Sequence, residues 1–355
     1  MKVLMTADAV GGVWTYAIEL TRALAGVDFV LATMGALPSD AQRAELPPNV
    51  TLAASDFRLE WEENPWDDVA RAGAWLQALA REHEPDLVHL NGYAHAALAF
   101  DAPKLVVAHS CVLSWWHAVK GEEAPASWQR YREVVEEGLR GADLVVAPSA
   151  AMLGALDQHY RFDTPARVIH NGRSAAPSRA EPRAARRSIF AAGRLWDEAK
   201  NLRAVVAAAP GLRWPVRIAG EGGTSSTNVT HLGRLDRNAM QRELDAAGIY
   251  LFPAVYEPFG LSILEAALAG CALVVGDIGS LRELWDGAAL FVDPHDDEAI
   301  VATVNTLTND PARLAALAQA ARHRAARYTP AAMAAAYARL YAQLCAPATA
   351  WEASA

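Results

Sequence analysis

Two carboxylates on either side of a glycine turn are the residues of this sequence with the clearest chemistry. In Glu257-Pro-Phe-Gly-Leu-Ser-Ile-Leu-Glu265 they stand eight positions apart, after a strand-like run at 249–254 and around the start of a helix-like run at 261–269. The proline biases Glu257 toward an extended conformation, and Gly260 lets the backbone approach a ligand. The unpaired N–H groups of a helix start bind anions. The segment therefore suits a ligand that carries both phosphate and hydroxyl groups, such as a sugar nucleotide.

The string that begins at Glu257, E-P-F-G-L-S-I-L-E-A, resembles the E-x7-E signature of retaining glycosyltransferases of family four, the glycosyl transferases group 1. The resemblance runs from Met1 to about Leu344. It implies a GT-B fold, an α/β architecture in which two Rossmann-like domains face each other across a cleft. It also implies a C-terminal helix that crosses back to the first domain. The alternative is a purely structural role, in which the segment packs the start of the helix and the carboxylates face solvent.

Two cations follow the first predicted strand of the second half, in Gly193-Arg194-Leu195…Lys200-Asn201. The element resembles the G-R-L…K-[GN] element of the family, in which both cations grip the diphosphate of the donor. Such a grip is needed because the nucleotide leaves as a dianion and no metal-ligand cluster is visible to neutralise it. The resemblance makes Arg194, Lys200 and Glu257 catalytic residues, with Glu257 beside the hydroxyls of the sugar. Otherwise the two cations are ordinary surface residues near a helix start.

Glycine turns and a histidine at a strand end complete the site that the resemblance implies. Gly11 and Gly12 lie in a loop that lacks the dinucleotide fingerprint but resembles the family loop whose backbone N–H groups approach the donor phosphate. His109 follows a strand-like run, at the end of a sheet where ligands bind, and resembles the catalytic histidine near the 6-hydroxyl of the donor sugar. The remaining predicted donor-binding residues are Gly220, Glu221, Phe259, Gly260, Leu261 and Glu265, the last at the ribose.

Tryptophans are the candidates for acceptor binding, because exposed aromatic rings stack on sugars and on flat aglycones. Trp61, Trp115 and Trp116 are assigned this role, and with Trp66 they fall in loop-like stretches. They could equally pack irregular segments or form the contact of a homodimer. Residues 1–172 carry 13 Lys and Arg against 23 Asp and Glu. A neutral or aromatic acceptor therefore fits this half better than an anionic phospholipid.

Strand-like and helix-like runs alternate along the chain, which predicts parallel sheets covered by helices on both faces. The predicted strands are 2–7, 29–33, 87–90, 105–108, 144–147 and 168–170, then 188–192, 216–219, 229–232, 249–252, 272–275 and 289–292. Between the two sets the composition changes to Pro, Ser and Arg, which indicates a linker. We therefore predict an acceptor-binding domain at 1–172, a linker at 173–187, a nucleotide-sugar-binding domain at 188–330 and a returning helix at 331–355.

Length and composition restrict the function classes. A chain of 355 residues with 52% apolar content favours two domains. No apolar run reaches the roughly 18 residues of a membrane span, and the first residues lack a signal-peptide pattern, so a cytoplasmic protein without membrane association is expected. The three cysteines form neither a metal pattern nor a disulfide framework. The basic cluster lacks interleaved aromatics, which argues against a nucleic-acid partner; it comprises Arg179, Arg183, Arg186 and Arg187.

The hypothesis is a metal-independent, retaining hexosyltransferase. Its partners would be a UDP- or GDP-linked sugar, with no further cofactor, and an acceptor hydroxyl of a sugar, glycoside or small metabolite. No carboxylate stands out as a covalent nucleophile, which favours departure and attack on the same face. Two alternatives stay open: a nucleotide-sugar epimerase on the same fold, which needs no acceptor, and a catalytically silent nucleotide-sugar-binding subunit. The presence of Arg194, Lys200, Glu257 and Glu265 counts against the silent subunit.

Overall fold

The computed structural model describes residues 1–175 and 186–346, so most of the linker predicted at 173–187 and the end of the segment predicted at 331–355 lie outside the described residues. The described strands are β1 (Lys2–Asp8), β2 (Asp28–Met34), β3 (Val50–Ala54), β4 (Leu87–Leu90), β5 (Lys104–Val107), β6 (Leu144–Ala147), β7 (Ala166–Val168), β8 (Ile189–Ala192), β9 (Val216–Ala219), β10 (Val229–His231), β11 (Ile249–Phe252), β12 (Ala272–Gly276) and β13 (Leu290–Val292).

The described α-helices are α1 (Gly12–Ala23), α2 (Asp40–Ala44), α3 (Trp66–His83), α4 (Val112–Lys120), α5 (Gln129–Gly141), α6 (Ala150–His159), α7 (Leu202–Ala208), α8 (Arg237–Ala246), α9 (Leu261–Ala269), α10 (Gly279–Trp285), α11 (Asp297–Thr308), α12 (Pro311–Ala325) and α13 (Pro330–Leu344). Short 3-10 helices lie at Ala94–Ala97, Ala126–Trp128, Glu198–Lys200 and Ala209–Gly211. None of these helices combines the length and the apolar composition that crossing a bilayer requires.

The first structural unit comprises Met1–Ser114, Glu123–Gly172 and the C-terminal helix from Pro330. Its described strands form one parallel sheet in the order β3-β2-β1-β4-β5-β6-β7. Successive side chains of a strand point to opposite faces, and both faces of β1 are covered. Leu4 packs in a core with α3 and α5, whereas Val3 and Met5 pack in a second core with α1 and α13. The two-sided burial explains the uninterrupted apolar run of this strand.

The second structural unit comprises Trp115–Glu122 and Arg173–Thr329. Its parallel sheet has the order β10-β9-β8-β11-β12-β13. Tyr250 and Phe252 of β11 pack in a core with α8, α9, α10 and α12, and Ile249 and Leu251 pack on the other face with α7 and α11. Both sheets are therefore of the Rossmann-like type, and in each of them the loops at the carboxyl ends of the strands can carry a ligand site.

Three local predictions differ from the structure. The predicted strands do not include β3, and the strand predicted at 168–170 lies two residues later than β7. Both are edge strands with partly exposed side chains, so neither shows the continuous apolar run of a central strand. Trp66, Trp115 and Trp116 lie on helices α3 and α4 rather than in loops. Tryptophan itself carries no strong helix signal, and the neighbouring residues decide the conformation.

A buried histidine connects three elements of the first unit. His89 of β4 makes a hydrogen bond of 2.7 Å through Nδ1 to the hydroxyl of Tyr341 on α13, and one of 3.2 Å through Nε2 to the hydroxyl of Tyr16 on α1. Burial lowers the pKa of His89 to about 3. The imidazole is therefore neutral at physiological pH, and it ties the C-terminal helix to the sheet by polar contacts inside an apolar core.

Acid should weaken the first unit through this histidine. The unfolded chain binds a proton at about pH 6.5, whereas folded His89 stays neutral down to about pH 3, so the free energy of unfolding should fall as the pH drops below about 6.5. The contribution is at most about 1.4 kcal/mol per pH unit. Urea unfolding at pH 7, 6 and 5 would show it as a steeper pH dependence in the wild type than in His89→Asn, with the exposed His323→Asn as control. Equal pH dependence in wild type and His89→Asn would contradict the prediction.

Candidate active site

Glu257 lies in the turn that joins the carboxyl end of β11 to α9, and Glu265 lies in the middle of that helix. Gly260 precedes the helix with a φ of +85°, a conformation that glycine adopts without strain. The Glu257 carboxylate folds back over the turn, where Oε1 accepts the backbone N–H groups of Gly260 at 2.9 Å and of Phe259 at 3.4 Å. The Ser280 hydroxyl donates to the backbone carbonyl of Glu257 at 2.6 Å. The turn thus holds Glu257 at both its backbone and its side chain.

The structure brings Lys200 to Glu257. The ammonium Nζ lies 2.8 Å from Oε2 of the carboxylate, and both side chains are largely buried. Lys200 ends a 3-10 turn after β8, and the next residue, Asn201, adopts a φ of +51° and donates its side-chain amide to two backbone carbonyls. A phosphate that approaches Lys200 therefore meets an ion pair rather than a lone ammonium group.

Arg194 is held from two sides by residues that the sequence analysis missed. Its Nη2 donates to Oδ2 of Asp197 at 2.7 Å, and its guanidinium lies 4.9 Å from the ring centre of Trp196. Asp197 is only 6% exposed, and its Oδ1 also accepts the Ala199 N–H at 3.1 Å and the Trp115 indole N–H at 3.3 Å. An acidic residue three positions after Arg194 was the available sequence signal.

Glu265 is also paired with a cation. Nε of Arg173 lies 2.6 Å from its Oε1, and both side chains are mostly buried. Arg173 belongs to the segment predicted as a linker, where no site residue was expected. Each of these two carboxylates therefore forms an ion pair, Glu257 with Lys200 and Glu265 with Arg173. These two cations hold one carboxylate before α9 and one in the middle of that helix.

The other predicted donor-binding residues of the second unit differ in their exposure and packing. Gly220 follows β9, and a Cβ at this position would overlap the carbonyl oxygen of Gly193, so the glycine lets the loops after β8 and β9 pack together. Glu221 is exposed. The ring of Phe259 is buried and packs edge-on against Tyr328, with 5.5 Å between the ring centroids. A donor contact by Phe259 would therefore come from its backbone. Leu261 is the first residue of α9.

Predicted site residues of the first unit lie at the carboxyl ends of β1 and β5. Gly11 precedes α1 with a φ of +91°, and Gly12 is the first helical residue. His109 follows β5, with Nε2 at 2.8 Å from Oδ1 of Asn91 and its ring edge-on to Tyr16 at 4.6 Å between centroids. Burial lowers the pKa of His109 to about 4. The imidazole is therefore a neutral hydrogen-bonding group at pH 7.

The three candidate acceptor tryptophans belong to different structural units. Trp61 lies in the loop after β3 of the first unit and is exposed. Trp115 and Trp116 are half-buried residues of α4 in the segment that belongs to the second unit. The indole N–H of Trp115 donates a hydrogen bond to Oδ1 of Asp197. Throughout residues 1–175 and 186–346, no group of three or more His, Cys, Asp or Glu side chains is arranged to hold a metal ion.

Comparison with known proteins agrees with this architecture. Residues 10–176 match the family model described as Glycosyltransferase Family 4, and residues 186–310 match that of Glycosyl transferases group 1. A glycogen synthase of Mycobacterium tuberculosis (strain H37Rv) is 29% identical over an alignment 380 residues long, which covers 91% of this chain and 90% of that protein. The solved sucrose-phosphate synthase from Thermosynechococcus elongatus has a TM-score of 0.81 at 18% identity and covers 97% of this chain and 99% of its own.

A further solved structure, Anabaena HepE in complex with UDP and glucose, has a TM-score of 0.76 at 17% identity and covers 97% of this chain and 100% of its own. The two matched family models account for most of the sequence, one in each half. The two parallel Rossmann-like sheets are those of the GT-B proteins to which the structure is similar. The chain therefore belongs to the glycosyltransferases of family 4 and group 1 and is a glycosyltransferase with a GT-B fold.

Proposed function

We propose that the protein transfers a hexosyl group from a UDP- or GDP-linked sugar to an acceptor hydroxyl, with retention of the anomeric configuration. The observation that carries the proposal is the arrangement of Glu257, Glu265 and Lys200 around the start of α9. Its two carboxylates can accept hydroxyl groups, while a cation and the helix start can receive a phosphate. The UDP and glucose bound to HepE support a nucleotide-sugar donor, and the similarity to a glycogen synthase supports hexosyl transfer.

The proposed roles follow the chemistry of each group. Arg194 and Lys200 bind the diphosphate, which becomes more negative as the sugar leaves. Glu265 binds the ribose hydroxyls and Glu257 binds the sugar hydroxyls. In the first unit, the donor-site roles of Gly11, Gly12 and His109 are those that the family resemblance implies. The Nε2–H of neutral His109 donates to Oδ1 of Asn91, so its Nδ1 can only accept a hydrogen bond. Fixed donors and cations of this kind stabilise charge where it develops in the transition state.

The proposed reaction proceeds on one face of the sugar. The bond between the anomeric carbon and the diphosphate oxygen breaks, and its electron pair stays on that oxygen. The acceptor oxygen forms the new bond from the same face, and its proton moves to the departing diphosphate oxygen. Since Arg194 and Lys200 neutralise the leaving group, the proposed step needs no cofactor and no metal ion.

A donor panel tests the proposal. UDP-, GDP- and ADP-linked glucose, mannose and galactose would be incubated with the protein and mixed saccharide acceptors, with and without excess EDTA. We expect release of free nucleotide, a glycoside product seen by mass spectrometry, full activity in EDTA, and retained configuration by NMR. If EDTA abolished activity and Mg²⁺ or Mn²⁺ restored it, the proposal that Arg194 and Lys200 stabilise the departing diphosphate without a metal ion would be refuted. Isomerised nucleotide sugar without free nucleotide would identify an epimerase instead.

Asp197 should be needed to orient Arg194. Asp197→Asn removes the carboxylate that fixes the guanidinium but leaves the positive charge of Arg194 in place, so turnover should fall roughly 10-fold through misalignment. Glu243→Gln is the matched control, because Glu243 forms a two-point ion pair with Arg217 elsewhere in the second unit, with distances of 2.6 and 2.8 Å. If both variants keep wild-type turnover, Asp197 has no part in positioning Arg194.

A further inference from the structure

Three neighbouring loops of the first unit expose large apolar side chains at the carboxyl ends of their strands. Val10 follows β1, Leu37 follows β2 and Trp61 follows β3, and they are 52%, 57% and 47% exposed. The strands β1, β2 and β3 are adjacent and parallel, so their carboxyl-end loops are neighbours. Large apolar side chains that are exposed on neighbouring loops are candidates for contact with a ligand. We call these three side chains the Trp61 platform.

The loop that carries Trp61 is held firmly. The carboxylate of the preceding residue, Glu60, accepts the backbone N–H of Tyr93 at 3.0 Å and that of Ala94 at 2.7 Å. Burial raises the pKa of Glu60, while these N–H groups oppose the rise by stabilising the carboxylate. Gly35 donates its N–H to the carbonyl of Phe57 at 2.7 Å on the other side of the loop. An aromatic ring on a fixed loop binds a ligand with little loss of conformational entropy.

A small cavity of about 50 Å³ beside Trp61, with room for hydroxyl groups but not for a whole sugar ring, is lined by polar residues. Asp8, Arg58 and Asn91 line it together with Trp61 and Met34. The Asn91 amide is oriented by a 2.6 Å bond to the Thr6 carbonyl. Carboxylate, amide and guanidinium groups beside an indole are the partners of a sugar ring, which has an apolar face and a rim of hydroxyls.

The charges of the cavity disfavour a phosphorylated ligand. Arg58 is the cation among the residues that line it, and its Nε lies 4.0 Å from a carboxylate oxygen of Asp68. The carboxylates of Asp8 and Glu60 line the same cavity. A phosphate group is usually bound by several cations that converge on it, and Arg58 is a single cation beside two carboxylates. An uncharged ligand therefore fits this cavity better.

We propose that the Trp61 platform and its cavity bind an uncharged saccharide acceptor, whose ring stacks on Trp61 while its hydroxyls bind Asp8 and Arg58. This inference rests on the proposed glycosyl transfer, because it names the class of acceptor for that reaction. Trp61 is a specificity-determining residue under this proposal, and a phosphorylated sugar is a poor acceptor.

Binding of defined probes tests the inference. Titration calorimetry would use the full chain saturated with UDP or GDP, whichever binds, and four uncharged probes: maltotetraose, cellotetraose, mannotetraose and lactose. Glucose 6-phosphate and mannose 6-phosphate are the charged probes. At least one uncharged probe should bind, and Trp61→Ala should weaken it roughly 10-fold, the scale of a lost aromatic contact. Trp61→Phe should retain most of the affinity. Val168→Ala, which shortens an exposed side chain on β7 at the opposite sheet edge, is the matched control.

The outcomes separate this inference from the proposed function. Nucleotide binding with no uncharged probe bound, or with binding that Trp61→Ala leaves unchanged, would overturn the inference while leaving donor recognition intact. Tighter binding of the sugar phosphates would also overturn it, as would Trp61-dependent flotation with vesicles of phosphatidylcholine and phosphatidylglycerol. Absence of binding by every nucleotide and nucleotide sugar would instead refute the proposed function. Wild-type nucleotide affinity in Trp61→Ala would show that this variant is folded.

Discussion

Replacing Arg194 or Lys200 by alanine should lower turnover by about 100-fold or more, the scale of losing one contact to charge that develops in a transition state. Each side chain is proposed to neutralise the departing diphosphate. Lys200→Ala has a second consequence, because it leaves the largely buried carboxylate of Glu257 without its cation at 2.8 Å. Repulsion between that carboxylate and the diphosphate should make Lys200→Ala the more damaging change. Steady-state kinetics with the donor identified in the panel would measure both effects.

Arg217→Ala is the matched control for these variants. Arg217 lies on β9 of the same unit and is engaged by Glu243, so its loss removes an ion-paired arginine without touching the proposed diphosphate site. Thermal unfolding should confirm that all three variants fold. Turnover within about threefold of wild type in both Arg194→Ala and Lys200→Ala would remove the diphosphate assignment, since this is far below the cost of one lost contact.

Substitutions of the two carboxylates should have different effects. Glu265→Gln should weaken binding of the free nucleotide by about 10- to 100-fold, the scale of a hydrogen bond to a charged group, because Glu265 is proposed to bind the ribose. It also leaves the mostly buried Arg173 without its carboxylate partner. Glu257→Gln should leave nucleotide affinity nearly unchanged and mainly slow transfer, because Glu257 is proposed to contact the sugar.

Calorimetry with UDP and 2′-deoxy-UDP separates ribose binding by Glu265 from sugar binding by Glu257. If GDP is the ligand, GDP and 2′-deoxy-GDP replace them. The wild type should prefer the ribonucleotide, and Glu265→Gln should reduce that preference. Arg173→Gln should reduce it in part, because Glu265 loses the guanidinium that fixes its Oε1 at 2.6 Å. Equal loss of nucleotide affinity in Glu257→Gln and Glu265→Gln would contradict the division between ribose and sugar contacts.

The sequence alone was sufficient for the fold class, the family and the turn around Gly260. Helix α9 begins and ends at the predicted residues, Leu261 and Ala269, because left-handed glycines adjoin both ends. Strands β4, β6, β9 and β11 also have their predicted bounds. These are central or well-covered strands, whose continuous apolar runs are a local signal. The edge strands β3 and β7 were missed or shifted because half of their side chains face solvent.

Only the tertiary structure decided which charges meet. Lys200 and Glu257 are 57 positions apart, and Arg173 and Glu265 are 92 apart, so no local pattern could pair them. The same holds for Trp115 and Asp197, 82 positions apart, and for the loops that bring Val10, Leu37 and Trp61 to one sheet edge. Sequence motifs report residue types and local conformation. The partners of a side chain depend on the strand order of the sheet, which brings distant loops together at the carboxyl ends of neighbouring strands.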